Sequence, residues 1–231
     1  MNDHQRQLLV LAFLALVLTP VFWVTDLDLR IAHAFFSPDT PATPWPAGGA
    51  PLWHALYAAV PWLTAALLLG TAGVLVAARR LRGLRPWRPA AAALLLTLLL
   101  GPGLLVNTVF KDHWGRPRPR QVAALGGDQP YAPPLRPRFG APGHSFPSGH
   151  AAVGFTPLAL WLLWRRRRPA AARAMLALAL GLGGLIGVAR MAAGGHFLSD
   201  VLWAGLLTWL AAIVSVWLVG RIWPDERSAP P

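Results

Sequence analysis

The chain has 231 residues, of which 55% are hydrophobic and only 13% charged, and the apolar residues run in long unbroken stretches. That pattern excludes an ordinary soluble globule and describes a membrane protein. The net charge of +12 is almost all arginine, Lys111 being the single lysine, and the absence of cysteine excludes disulfides, thiolate metal sites and cysteine nucleophiles.

Residues 8–18 follow Arg6 like the core of a signal peptide. Thr19-Pro20-Val21-Phe22-Trp23 comes next instead of a small-residue cleavage pattern, so the stretch reads as a retained first span. Six stretches have the length and composition to cross a bilayer, about 8–24, 52–78, 89–110, 148–164, 174–191 and 197–223. The expected fold is therefore an all-α integral membrane protein, a six-transmembrane-helix bundle.

Two kinds of connector alternate between the spans. Arg79, Arg80, Arg82, Arg85 and Arg88 join spans two and three, and Arg165 to Arg168 with Arg173 join spans four and five. Excess arginine marks cytoplasmic loops. An even number of spans then puts both termini on the cytoplasmic side, in agreement with Arg6, Arg221 and Arg227. Charge located in this way orients the chain and gives no reason to expect nucleic acid as a partner. Residues 25–51, the long connector 111–147 and the turn at Gly194-Gly195-His196 fall on the opposite face, and all candidate site residues lie there.

Within the spans, Gly101-Pro102-Gly103 is expected to bend the third and aim Lys111 inward. Gly183 and Gly187, four apart, let a neighbouring backbone come close to the fifth. Trp23, Trp53, Trp87, Trp161, Trp164 and Trp223 sit near span ends and read as interfacial anchors.

Three clusters on the outer face carry the chemistry. In 111–119, Lys111, Arg116 and Arg118 fall within eight residues of chain stiffened by Pro117 and Pro119, a cage suited to a phosphate dianion. In 145–150, Ser148 or its neighbour starts the fourth span, where free amides and the helix dipole favour an anion. Gly149 there leaves room for a close approach, and His150 follows as a proton donor. In 190–200, His196 and Asp200 are four residues apart, one face of a helix, so that the carboxylate can take a proton from one ring nitrogen and leave the other as a nucleophile. The alternative for Asp200 is a structural ion pair, with Arg190 as its partner. Asp112, Asp128 and Asp200 are too few carboxylates for a two-metal site, so no metal and no cofactor is expected.

The order Lys111-x6-Arg118-Pro119, then Pro147-Ser148-Gly149-His150, then Arg190-x5-His196-x3-Asp200 resembles the type 2 phosphatidic acid phosphatase (PAP2) superfamily. One departure is Ala189, where the family often has serine before the arginine. The resemblance implies one PAP2-type membrane domain over 1–231, with its active site at the periplasmic surface of a bacterial inner membrane. It implies His196 as the nucleophile of a phosphohistidine intermediate, Asp200 as its orienting partner and His150 as the acid. Lys111, Arg118, Ser148, Gly149 and Arg190 would hold phosphate, with Arg116 beside them.

Residues 101–119, 194–200 and the pattern near 26–36 resemble more closely the bacterial lipid A 4'-phosphatases. Lipid A is the substrate this implies. Undecaprenyl pyrophosphate and phosphatidylglycerol phosphate stand as alternatives, as do transfer to a second lipid and a non-enzymatic lipid-binding or transport role. The expected partners are thus a membrane lipid phosphate and the bilayer.

Overall fold

The computed structural model describes residues 3–40 and 42–224. Arg227, read above as a cytoplasmic anchor, lies outside the described residues. Helix α1 (Asp3–Val24) leads into the short α2 (Leu27–His33), followed by α3 (Pro51–Ala77). Helix α4 (Arg88–Leu98) continues without interruption through Leu99–Lys111, where it widens to π-type turns. After the long connector come α5 (Gly149–Gly154), α6 (Leu158–Trp164), α7 (Pro169–Ala192) and α8 (Leu198–Ile222). Among the described residues the extended chain forms only two isolated bridges, Arg116 with His144 and Val122 with Gln129.

Among the described residues, five helical stretches are long and apolar enough to cross a membrane: Asp3–Val24, Pro51–Ala77, Arg82–Lys111, Pro169–Ala192 and Leu198–Ile222. The fourth expected span differs. Gly149–Trp164 is a shorter apolar helix, broken between α5 and α6 where Pro157 brings no N–H to the ladder. The count of six long spanning helices is thus corrected to five long ones and a short, divided sixth.

Helix α8 is the centre, packed against α1, α4, α5, α6 and α7, whereas α1 and α3 turn large side chains such as Phe13, Leu16, Trp62 and Leu69 outward, as lipid-facing helices do. Small residues bring the inner helices together. Ala92, Ala93, Ala152, Ala204 and Ala212 are all buried in the core. A side chain on Gly154 would come within 2.7 Å of the Gly183 backbone, and one on Gly187 would strike Val201. At one end Asp3 pairs with Arg165 and, at 3.3 Å, with Arg166, so the N-terminus and the arginine run share a face.

At the other end the connectors interlock over the bundle. Ala32, Val122, Leu125 and Phe197 form a small second core with Phe36, Trp45 and Tyr131 around it. Trp23 at the end of α1 donates to the Pro134 carbonyl at 2.7 Å. The stretch 121–144 is therefore bound into this cap. Its Arg138 amide donates to the Trp114 carbonyl at 2.8 Å, and just beyond it the Ser145 amide donates to that of Arg116 at 3.0 Å.

Candidate active site

All three clusters meet beneath this cap. The turn before α8 bends through Gly194, whose positive φ of 60° suits glycine and whose α-carbon lies against the Trp45 ring. The Gly194 carbonyl accepts from Arg120 N–H at 3.2 Å, and Gly195 N–H donates to the Arg190 carbonyl at 2.9 Å, so the next residue, His196, is held on both sides.

His196 is 2% exposed, and its Nδ1 lies 2.6 Å from the backbone oxygen of Ser145. A carbonyl can only accept, so Nδ1 carries the proton and Nε2 keeps its lone pair. Asp200 Oδ2 is 3.7 Å from the same nitrogen, within ion-pair range but beyond a hydrogen bond. The tautomer expected from an Asp200 contact is thus set at first hand by the Ser145 carbonyl. Asp200 acts one step behind. Its Oδ2 accepts from Ser145 Oγ at 2.6 Å and from Phe197 N–H at 2.8 Å, while Oδ1 pairs with Arg116. The structural ion pair weighed for Asp200 exists alongside its place beside the histidine, and its partner is Arg116 instead of Arg190.

Arg116 was expected near a phosphate, but its guanidinium is fully buried in protein. Nε donates to the Ala132 carbonyl at 2.8 Å, Nη1 to Ser199 Oγ at 2.8 Å and to Asp200, and Nη2 to Asp28 Oδ2 at 2.8 Å. Phe197 lies under the plane, 4.7 Å from Cζ to its centroid. With Nη2 also donating to the Tyr131 hydroxyl at 3.5 Å, such a set uses the whole fork and leaves nothing for a ligand. Burial works against the charge, yet Asp200 and Asp28 outweigh it and raise the Arg116 pKa. Tyr131, donating to Asp28 at 3.1 Å, is pushed up by burial and by that carboxylate.

The remaining cations do face one another. Lys111 ends the π-type stretch, and a side chain at Gly149 would lie 2.7 Å from Asn107 Oδ1 and 3.5 Å from Lys111 Nζ, so only glycine leaves space between these two helices. Asn107 is aimed there by donating Nδ2 to the Pro102 carbonyl at 2.7 Å. Ser148 caps α5, its Oγ accepting from Ala151 N–H at 3.5 Å, while its own N–H is spent on the Asp200 carbonyl at 3.1 Å. Arg190, His196, Lys111 and Arg118 all lie within electrostatic range of His150. Burial and the neighbouring Arg120 lower the pKa of Arg118. Burial also lowers that of His196, helped by Arg190 and Lys111 and opposed by Asp200. Its imidazole is accordingly neutral through the middle of the pH range.

Tyr57 was not anticipated. Its ring stacks on His150 at 4.7 Å, 19° from parallel, and the Arg190 guanidinium sits 4.5 Å from its centroid. Arg190 Nε is buried and has no hydrogen-bond partner among the described residues. Nothing around Tyr57 forms a motif, so only its being a tyrosine in an apolar span marked it. Ser145 stood inside a recognised cluster without a role, and Asp28 lay within the recognised stretch 26–36.

From Lys111, Gly149 and His150 a groove of about 490 Å³ runs between α3 and α4, lined below by Val60, Leu68, Leu98 and Leu99. Its polar end is formed by Asn107, Lys111 and His150, and its length is largely apolar. Among the described residues no group of three or more His, Asp or Glu side chains is placed to hold a metal ion.

A family model described as the PAP2 superfamily matches residues 90–224. The chain is 40% identical over 134 residues to a lipid A 4'-phosphatase of Francisella tularensis subsp. novicida, covering 58% of this chain and 58% of that one. It is 38% identical over 120 residues to a lipid A 4'-phosphatase of Rhizobium leguminosarum, covering 51% and 48%. To phosphatidylglycerophosphatase B of Escherichia coli K12 it is 38% identical over 82 residues, covering 35% and 31%. The chain thus matches between 31% and 58% of the length of these relatives. No solved structure matches it.

Proposed function

Because the chain belongs to the PAP2 superfamily, we propose that it is a membrane lipid phosphatase in which His196 is the nucleophile, His150 the acid and then the base, and Lys111, Arg118, Arg190, Ser148 and Gly149 the phosphate site. The observation that carries this reading is the 2.6 Å contact of His196 Nδ1 with the Ser145 carbonyl, which leaves Nε2 free in a pocket of cations.

In the first step Nε2 attacks phosphorus, an N–P bond forms, the ester P–O bond breaks, and His150 gives its proton to the leaving oxygen. In the second, His150 takes a proton from water as that water attacks phosphorus, and the N–P electron pair returns to Nε2. Lys111, Arg118 and Arg190 answer the charge on the equatorial oxygens. A bound dianion offsets the cations around His150 and favours its protonated form.

A lipid is the substrate class that fits the groove, whose polar end lies at Lys111 and His150 and whose apolar walls would take an acyl chain. Lipid A, dephosphorylated at the 4' position, is the specific substrate proposed, on the likeness to the two phosphatases of that name. Phosphatidylglycerol phosphate is the second candidate, on the likeness to phosphatidylglycerophosphatase B. The arginine loops support an inner-membrane placement with cytoplasmic termini and the site facing the periplasm.

The test is phosphate release by purified protein from lipid A, undecaprenyl pyrophosphate and phosphatidylglycerol phosphate in parallel. Preference for lipid A with loss of the 4'-phosphate is expected. Preference for another of the three would replace the substrate, and release from none would end the phosphatase reading.

Tyr57 tests the geometry of the acid. Stacking and the cation–π contact are each worth about 0.5–2 kcal/mol. Tyr57→Leu is therefore expected to lower kcat about tenfold by loosening His150 and Arg190, and a change of under about twofold would remove Tyr57 from the site.

A further inference from the structure

Asp28 lies on α2, outside the matched segment 90–224, and is 1% exposed. Its carboxylate is fully engaged. Oδ1 accepts from Ser199 N–H at 2.9 Å, and Oδ2 accepts from Ser199 Oγ at 2.5 Å, Arg116 Nη2 at 2.8 Å and Tyr131 OH at 3.1 Å. Neither Asp28 nor Arg116 lines the groove that opens beside Lys111 and His150. Two carboxylates thus share one guanidinium, an arrangement whose desolvation is costly and which leaves a surplus negative charge inside the protein.

We propose that Asp28 is a positioning residue for His196, acting through Arg116, Asp200 and Ser145. Two consequences follow from the geometry. Arg116 is held from the far side, so that its Nη1 fixes Asp200, and Asp200 fixes the Ser145 hydroxyl beside the carbonyl that receives His196 Nδ1–H. The second consequence is electrostatic. When Nε2 bonds to phosphorus while Nδ1 keeps its proton, the ring becomes cationic, and Asp200 is the carboxylate placed to stabilise it. Arg116 alone would cancel the Asp200 charge. By taking a share of Arg116, Asp28 keeps Asp200 effective towards the ring. The other charged or titratable groups facing His196 are Arg190 from α7, Lys111 from the end of the α4 extension and His150 from α5, and none of them supplies negative charge.

The inference rests on His196 being the nucleophile, and its test separates the two. Asp28→Asn keeps the shape and the acceptor oxygen and removes the charge. Ser199→Ala keeps every charge and removes the hydroxyl that joins Arg116 to Asp28. The full-length variants are compared with wild type for phosphate release from lipid A, undecaprenyl pyrophosphate and phosphatidylglycerol phosphate in detergent micelles across pH. The His196 titration is followed separately by NMR of 15N-histidine-labelled protein, with His196→Gln identifying the resonance.

For Asp28→Asn, kcat is expected to fall about tenfold or more with KM within about twofold. The acid limb of the profile and the His196 titration are both expected to move down by about one pH unit, because a neighbouring negative charge has been lost. Ser199→Ala is expected to lose about threefold in kcat without moving the titration. A folded Asp28→Asn protein with wild-type kcat and an unmoved His196 titration would overturn the inference. If that variant does not accumulate, wild-type kcat in Ser199→Ala would overturn it. A wild type that releases no phosphate, or His196→Gln that releases it normally, would instead retire the nucleophile, and the NMR titration would still report whether Asp28 reaches His196.

Discussion

His196→Gln is expected to lower phosphate release by about 10⁴-fold or more while leaving lipid binding within a few-fold of wild type, since glutamine can donate to the Ser145 carbonyl but has no nitrogen lone pair for phosphorus. Rapid acid-avoiding quench of wild type with 32P-labelled lipid is expected to trap base-stable, acid-labile phosphate, absent in the variant. The sign of the pH dependence is also set. Burial, with Arg190 and Lys111, holds the His196 imidazole below the ordinary histidine value of 6.5, so the proposed nucleophile stays unprotonated as pH falls through that value. The acid limb of kcat/KM assigned to His196 is therefore expected below pH 6.5, not at it. Normal turnover in the variant would remove His196 from the chemistry.

Arg116→Leu is expected to be the most destabilising single change at the site. It would leave Asp28 and Asp200 buried in the protein without their cation, and breaking a buried pair from one side costs about 3–5 kcal/mol. For a chain of this size the midpoint of thermal unfolding in detergent should fall by about 10 °C or more. Arg116→Lys is expected to recover only part of this, since a single ammonium cannot reach Ala132, Ser199, Asp200 and Asp28 together. The same measurement separates the buried role from a phosphate-binding one. A lost phosphate ligand would raise KM and leave the melting midpoint where it was, and that result would return Arg116 to the binding site.

Much of the helical plan was legible because apolar length is a property of the sequence alone. The divided α5–α6 was harder, since its break at Phe155-Thr156-Pro157 looks apolar in a hydropathy reading and only the missing Pro157 N–H betrays it. His150, His196, Lys111 and Arg190 could be nominated because they sit in dense polar clusters beside apolar runs. Arg116 and Arg118 stand two residues apart in one cluster, and nothing local distinguishes them. Arg116 turns inward because Asp28 and Ala132 wait there, and both are remote or featureless in sequence. The His196–Ser145 contact was hidden for a related reason. A backbone carbonyl carries no residue-type signal, whereas Asp200, at helical spacing, carried a strong one.

Trp45 lies against Gly194, Phe36 reaches Gly126, Tyr57 lies between His150 and Arg190, and Asp28 grips Arg116. All four come from the stretch before residue 90, where the family segment begins. The histidines and cations therefore travel with one half of the polypeptide and much of their backing with the other. A chimaera joining residues 90–224 to the leading helices of another superfamily member would inherit the proposed reacting groups yet lose the wall behind them. In this protein the leading helices and the segment 90–224 therefore form one unit, and the wall stays behind the groups it backs only when both are kept together.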